Sequence, residues 1–210
     1  MLQIKGLSKS YHRRKVLSNV SFFLPAGTCV GIVGDNGSGK STLLRLLAQI
    51  HKPDSGDVLY QGRSVMGDKE FFRKHVGYVP QHSDLLPGLT VKQQLKLWQS
   101  ACGITGAFAE DIMQMLGIEE LMPIRTDELS GGQQRRVSIA MALLPKPEIL
   151  IMDEVTAGLD HSYCEQLLTW LEAYLKHGGR IVWCSHHAHE IERLCGDCIR
   201  LSGGVQQDDR

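Results

Sequence analysis

Short apolar runs separated by turn signals predict strands over residues 2–5, 16–24 and 28–33. Leu24-Pro25-Ala26-Gly27-Thr28 breaks the second from the third. Cys29-Val30-Gly31-Ile32-Val33 is apolar throughout and stops at Gly34. A leucine-rich helix follows from about Thr42 to Ala48, and Lys52-Pro53-Asp54-Ser55-Gly56 stops it. Residues 57–60 and 76–79 read as further strands. From about 90 to 144 the pattern turns helical. Val91, Leu95, Trp98 and Cys102 recur at spacings of four, three and four, the signature of one helix face. Helical runs also cover 108–116 and 131–144. Ile149-Leu150-Ile151-Met152 predicts a buried strand ending at two acids. A helix over 161–177, a strand over 180–184, a helix over 187–195 and a strand over 198–201 complete the pattern. Strands alternating with helices predict an α/β fold. The expected architecture is one compact unit over 1–210 with a helical insert near 85–145.

Composition narrows the classes. The 210 residues hold 42% hydrophobic and 22% charged positions, which excludes disorder as a main state and any fibrous repeat. Lys plus Arg and Asp plus Glu are 23 each, so the formal net charge is zero. A protein that coats nucleic acid or anionic lipid normally carries a basic surplus, and no nucleic-acid partner is expected. No run approaches the length of a membrane span, and the N-terminus lacks the apolar core of a secretory signal. A cytoplasmic protein is expected, with its six cysteines reduced and mostly buried. Cys195-Gly196-Asp197-Cys198 is a C-x-x-C, but it closes a helix rather than opening one, and no second zinc half-site lies nearby. Glycine is unusual at 22 residues, and the clusters mark places where backbone approaches a ligand closely.

The chemistry begins at Gly34-Asp35-Asn36-Gly37-Ser38-Gly39-Lys40-Ser41-Thr42, a match to the phosphate-binding loop G-x-x-x-x-G-K-[ST]. Its glycines let successive backbone N–H groups face inward, and the N-terminus of the following helix adds to the anion site. Lys40 supplies charge for β- and γ-phosphates, and Ser41 a hydroxyl for Mg²⁺. Asp153, at the end of a buried strand, is the expected magnesium partner. Glu154 beside it is placed to accept a proton from water or to orient it. A third piece, Leu129-Ser130-Gly131-Gly132-Gln133, opens another helix as a second anion site. One γ-phosphate does not need two such sites from one chain, so this one is expected to serve a nucleotide held by a second copy.

With these three motifs in this order, the chain resembles the nucleotide-binding subunit of ATP-binding cassette (ABC) transporters over essentially its whole length. The resemblance implies a P-loop NTPase of ABC type. Its parts would be a RecA-like core, an N-terminal antiparallel β-subdomain and an α-helical subdomain. It assigns Tyr11 to adenine stacking, Val16 to an apolar base contact, and Gln81 to the loop that touches Mg²⁺ and signals to a membrane partner. It assigns Asp160, in Ala157-Gly158-Leu159-Asp160, to the loop that crosses between subunits, and His186 to the switch near the γ-phosphate. His187 is the adjacent alternative, and spacing favours His186. It further implies ATP and Mg²⁺ as ligands, a head-to-tail pair of cassettes from a second copy or a homologous chain, and a separate transmembrane permease. That partner would hold the subunit on the inner face of the cell membrane. Leu85, Leu86, Leu89 and Trp98 are candidates for the groove that receives a helix of the permease, with core packing the alternative role.

The chain departs from the family's usual pattern in two respects. Val155 stands where Pro is common after the acid pair, and no C-terminal regulatory domain is expected beyond the polar, frayed tail Gln206-Gln207-Asp208-Asp209-Arg210. The loop after Gln81 and the short length look like stand-alone exporter subunits, for drugs, peptides or lipids. Two competing readings are a soluble ABC ATPase acting on nucleic acid or ribosomes, and a subunit that binds ATP without hydrolysing it. The absence of a heptad run and the zero net charge argue against the first, and intact Glu154 and His186 against the second.

Overall fold

The computed structural model describes residues 1–12 and 14–207. The chain starts with a long antiparallel hairpin, β1 (Leu2–Tyr11) and β2 (Arg14–Leu24). Then come β3 (Cys29–Gly34), α1 (Lys40–Leu47), β4 (Ser55–Tyr60), β5 (Arg63–Ser64), α2 (Lys69–His75) and β6 (Val76–Val79). The helical stretch holds α3 (Val91–Cys102), α4 (Glu110–Met115), two short 3-10 turns and α5 (Gly131–Leu143). The chain closes with β7 (Ile149–Asp153), α6 (His161–Lys176), β8 (Arg180–Cys184), α7 (Ala188–Leu194), β9 (Asp197–Ser202) and β10 (Val205–Gln207). Among the described residues these strands form one sheet in the order β5-β4-β1-β2-β10-β9-β3-β8-β7-β6. The half from β9 to β6 is parallel, and β5, β4, β1 and β2 form an antiparallel wing.

Strand periodicity explains why the parallel half is covered on both faces. Val30, Ile32, Ile149, Ile151, Val182 and Cys184 point to one face, where they meet Leu43, Leu44, Leu46 and Leu47 of α1 and the apolar side of the wing. Cys29, Leu150, Met152, Ile181 and Trp183 point to the other, against α5 and α6. Each fully buried large side chain contributes roughly 1.5–3 kcal/mol of transfer free energy. This packing holds the parallel strands in register, so β3, β6, β7 and β8 all end on the same side. Gly34, Pro80, Asp153 and Ser185 therefore emerge as neighbours.

Several elements differ from the sequence pattern. β1 runs to Tyr11 rather than stopping at residue 5, because β2 and β4 pair with its two edges. α2 has no fully buried residue, so it leaves no apolar stripe to read. On α3 the buried side is Val91, Gln94, Leu95 and Gln99, whereas Trp98 is 37% exposed. The two glutamines are buried because each is bonded: Gln94 Oε1 accepts from Leu86 N and Gln99 Nε2 donates to Gly106 O. The tail does not fray at Gln206 and Gln207, which lie in β10, and Gln206 Oε1 accepts from Ser21 N at 3.0 Å. Asp208, Asp209 and Arg210 lie outside the described residues.

Candidate active site

The phosphate loop turns sharply because glycine allows it. Gly34 has φ 146° and Gly39 φ 104°, and Gly39 is the N-cap of α1. A Cβ on Gly34 would lie 2.2 Å from Leu201 O, and one on Gly39 would lie 2.8 Å from Val16 O. Lys40 Nζ folds back onto the loop, donating to Gly34 O at 2.7 Å and Asp35 O at 3.1 Å. The loop borders an open cavity of about 490 Å³. Val16, Asn36, Gly37, Gly39, Lys40, Ser41, Thr42, Gln81 and Glu154 line it. Gly34 and Ser38 shape the loop from behind; Ser38 is buried and its hydroxyl has no partner in the structure. Arg14, Lys15 and Gly203 also line the cavity, and the sequence pattern did not single them out.

Asp153 ends β7 only 1% exposed, and neither carboxylate oxygen has a hydrogen-bond partner of good geometry. Burial pushes its carboxyl above the usual range, and the Glu154 charge adds to this against the pull of the Ser41 hydroxyl. Ligand atoms of Asp153, Glu154 and Cys184 lie within 4.8 Å of one another. Burial pushes the Cys184 thiol up to about 12, and its soft sulfur is a poor match for a hard cation. What remains is an oxygen donor set around a buried carboxylate that only weak contacts compensate, which fits a hard cation such as Mg²⁺.

Glu154 sits in the left-handed region at φ 49°, and its N–H donates to Cys184 O at 2.8 Å. This backbone is costly for a side-chain-bearing residue, of order 1–3 kcal/mol, and the neighbouring strand holds it. The carboxylate gathers two partners from different strand ends. His186 Nε2 lies 2.8 Å from Oε1, and Gln81 Nε2 donates to Oε2 at 3.1 Å. His187 instead caps α7 and turns its ring toward His189. The loop carrying His186 is pinned from inside. Buried Glu190 accepts from Ser185 Oγ at 2.5 Å, and Ser185 Oγ accepts from His187 N at 3.0 Å.

Arg135 is the residue that sequence reasoning passed over. It is 3% exposed on α5, and its donors reach five carbonyls. Nε donates to Val155 O at 2.8 Å, and Nη2 to Asp153 O at 2.9 Å and Glu154 O at 2.7 Å. Nη1 donates to Pro80 O and to Gln81 O. Burial lowers its pKa to about 10 while Asp153 and Glu154 favour the charge. One guanidinium thus ties α5 to both acids and to the glutamine loop. No local pattern announces this, because an arginine in a helix ordinarily faces water.

The helix start at 130–133 stands apart from the cavity. Ser130 is the N-cap of α5 and forms a capping box with Gln133, whose Oε1 accepts from Ser130 N at 2.9 Å. Gly131 is exposed with open space above it, and a Cβ on Gly132 would lie 2.7 Å from Gly158 O. Asp160 is exposed at the start of α6 and makes no side-chain capping bond. None of these residues lines the cavity of their own chain. Tyr11 also stays outside it, packed edge-on to His51 with ring centroids 5.9 Å apart. A separate groove of about 540 Å³ runs beside the glutamine loop, lined by Arg45, Tyr78, Leu85, Trp98 and Met141 among others. Leu86 and Leu89 do not reach it.

The family model described as ABC transporter matches residues 17–157. The chain is 35% identical over 207 residues to Nod factor export ATP-binding protein I of Rhizobium etli, covering 97% of this chain and 66% of that protein. It is 32% identical over 199 residues to linearmycin resistance ATP-binding protein LnrL of Bacillus subtilis, covering 93% and 64%. The chain thus spans a little under two thirds of the length of these relatives. A solved ATP-binding subunit of an ABC transporter superposes with a TM-score of 0.91 at 27% identity, over 99% of this chain and 88% of that one. The dimeric post-hydrolysis state of the ATP-binding cassette MJ0796, bound to ADP and Pi, superposes with a TM-score of 0.88 at 27% identity, covering 100% and 98%.

Proposed function

Because the chain belongs to the ABC transporter family, we propose that it is the ATP-hydrolysing motor subunit of an exporter. It acts as a head-to-tail pair, held at the inner face of the membrane by a separate permease. No helix among the described residues is long and apolar enough to cross a membrane, so the pore is assigned to that partner. The relatives named for Nod factor export and linearmycin resistance support outward transport, and the partner selects the cargo.

The phosphate loop and the N-terminus of α1 present N–H groups to the β- and γ-phosphates of ATP. Lys40 exchanges the Gly34 and Asp35 carbonyls for phosphate oxygens. Asp153, Ser41 and Gln81 are the residues to hold Mg²⁺, which when bound neutralises charge on the phosphate oxygens. Glu154 accepts the proton of the attacking water, while Gln81 and His186 hold its two oxygens in place. Ser130 of the partner subunit and Gly132 of the partner subunit close the other side of the nucleotide. The groove with Leu85 and Trp98 receives a helix of the permease, so movement at Gln81 reaches the membrane.

The observation that carries this reading is the carboxylate of Glu154 held by Gln81 and His186 on the rim of the phosphate-loop cavity. The test is steady-state ATPase activity of Glu154→Gln. A loss of about 10²-fold or more is expected for removal of a general base. Equal turnover by the variant and the wild type would refute hydrolysis through Glu154. Co-purification with a hydrophobic membrane protein from detergent extracts tests the transporter assignment, and capture of ribosomes or nucleic acid instead would overturn it.

A further inference from the structure

Three cysteines that the ATP chemistry does not use converge on the first half of β3, away from its phosphate-loop end. Cys29 starts β3, Cys195 follows the last residue of α7, and Cys198 lies in β9. The expectation that most cysteines are buried fails here: Cys29 and Cys184 are buried, but Cys195 and Cys198 are partly open, as are Cys102 and Cys164. The parallel register of β3 and β9 sets Gly31 opposite Cys198. A Cβ at Gly31 would stand 3.0 Å from Cys198 Sγ and 3.4 Å from Cys195 Sγ, so the missing side chain makes room for both sulfurs. One thiol contact reaches well beyond the C-x-x-C. It is Cys29 Sγ to Cys195 Sγ, at 3.0 Å across 166 positions of sequence.

We propose that Cys29 and Cys195 form a reversible disulfide when the protein meets a peroxide. A disulfide needs the sulfurs at about 2.05 Å, an approach of roughly 1 Å from where they stand. The position of Cys195 just past the end of a seven-residue helix allows that shift. The two thiols have distinct parts. Burial pushes the Cys29 thiol up, with Cys195 and Cys198 adding to the effect, so it stays protonated and shielded. Cys195 is the more open of the two and meets the oxidant first. Its sulfur attacks one peroxide oxygen, the O–O bond breaks, and a sulfenic acid and one water result. The Cys29 sulfur then attacks the Cys195 sulfur. The S–O bond breaks, and the hydroxyl leaves as a second water with the Cys29 proton. Two thiols have lost two electrons and two protons, and the peroxide has become two waters.

The bond joins the start of the strand that leads into Gly34 to the end of the helix that follows His186. It ties β3 to α7 at the ends of both that lie away from Gly34 and His186, independently of whether ATP is the ligand. The test treats the full chain with hydrogen peroxide, then denatures it, alkylates free thiols and maps the tryptic peptides by mass spectrometry. The expected result is a peptide pair linked through Cys29 and Cys195, separated by dithiothreitol. The link should be lost in Cys195→Ser and in Cys29→Ala and kept in Cys198→Ser. The wild-type map decides even if a variant fails to fold. Alkylation of both Cys29 and Cys195 after oxidation, a Cys195–Cys198 link, or a sulfinic acid at Cys195 would each overturn the proposal. Its failure leaves the ATPase assignment untouched.

Discussion

Arg135 makes the most informative single perturbation. Its guanidinium serves five carbonyls from Pro80, Gln81, Asp153, Glu154 and Val155, and it is buried while doing so. Charge-assisted hydrogen bonds are worth about 1.5–3 kcal/mol each, and a plain sum would reach about 8–15 kcal/mol. The net cost is smaller, because desolvating the cation already offsets much of the gain and water can enter a truncated site. Breaking a buried charged network from one side typically costs about 3–5 kcal/mol. For a chain of this size each kcal/mol moves Tm by about 2–4 °C, so Arg135→Leu should lower Tm by about 6–20 °C. Arg135→Lys should fall nearly as far, since an ammonium has three donors at one point and cannot span five acceptors. ATPase activity measured well below the new Tm should also drop in both variants, because Gln81 and Glu154 lose their common anchor. Circular dichroism melts and a coupled phosphate-release assay read the two effects. A Tm within about 2 °C of wild type for Arg135→Lys would refute the claim that the fork geometry is what matters.

Three further outcomes follow from the site. Burial holds the Asp153 carboxyl above its usual range, so its charge costs stability fully above the folded pKa and less as pH falls through it. Asp153→Asn should therefore raise Tm at neutral pH without Mg²⁺, with the gain fading toward about pH 4, while ATPase activity is lost; a lower Tm at neutral pH would contradict this. Gly132→Ala places a methyl 2.7 Å from Gly158 O, so a Glu154→Gln background carrying it should fail to pair in Mg-ATP by light scattering, while circular dichroism still shows a folded chain. Glu190→Ala removes the acceptor of the Ser185 hydroxyl and loosens the His186 loop, so kcat should fall about tenfold, or 1.4 kcal/mol, with little change in KM, and Glu190→Gln should restore part of it; an equal change in KM would point to a merely structural effect.

What could be read from sequence was local. Gly34 to Thr42 declares itself because the turn, the lysine and the helix start lie within nine consecutive positions. Ser130 and Gln133 are legible for the same reason: a capping box is a four-residue device. The strand ending at Asp153 is a continuous apolar run, as expected for a strand buried on both faces. The features that were missed depend on distance. Arg135 finds its partners 18 to 55 positions away, and α5 is buried almost all round, so no stripe separates its inner from its outer face. Cys195 stands three residues from Cys198 in the chain, and its contact with Cys29 spans 166 positions that no local motif bridges. α2 and β10 carry too little buried apolar surface to generate a period. Tyr11 has only the family resemblance behind it, because one aromatic at a hairpin end makes no local pattern.

The account depends on Ser130, Gly132 and Asp160 being absent from the cavity of their own chain and supplied to it by another. The direct measurement is the molar mass of Glu154→Gln in solution, by light scattering, with and without Mg-ATP and with the membrane partner present where one is required. A shift from one chain to two on adding Mg-ATP, reversed by removing Mg²⁺, is the predicted result. A variant that binds Mg-ATP yet keeps the mass of a single chain under every one of these conditions would contradict it.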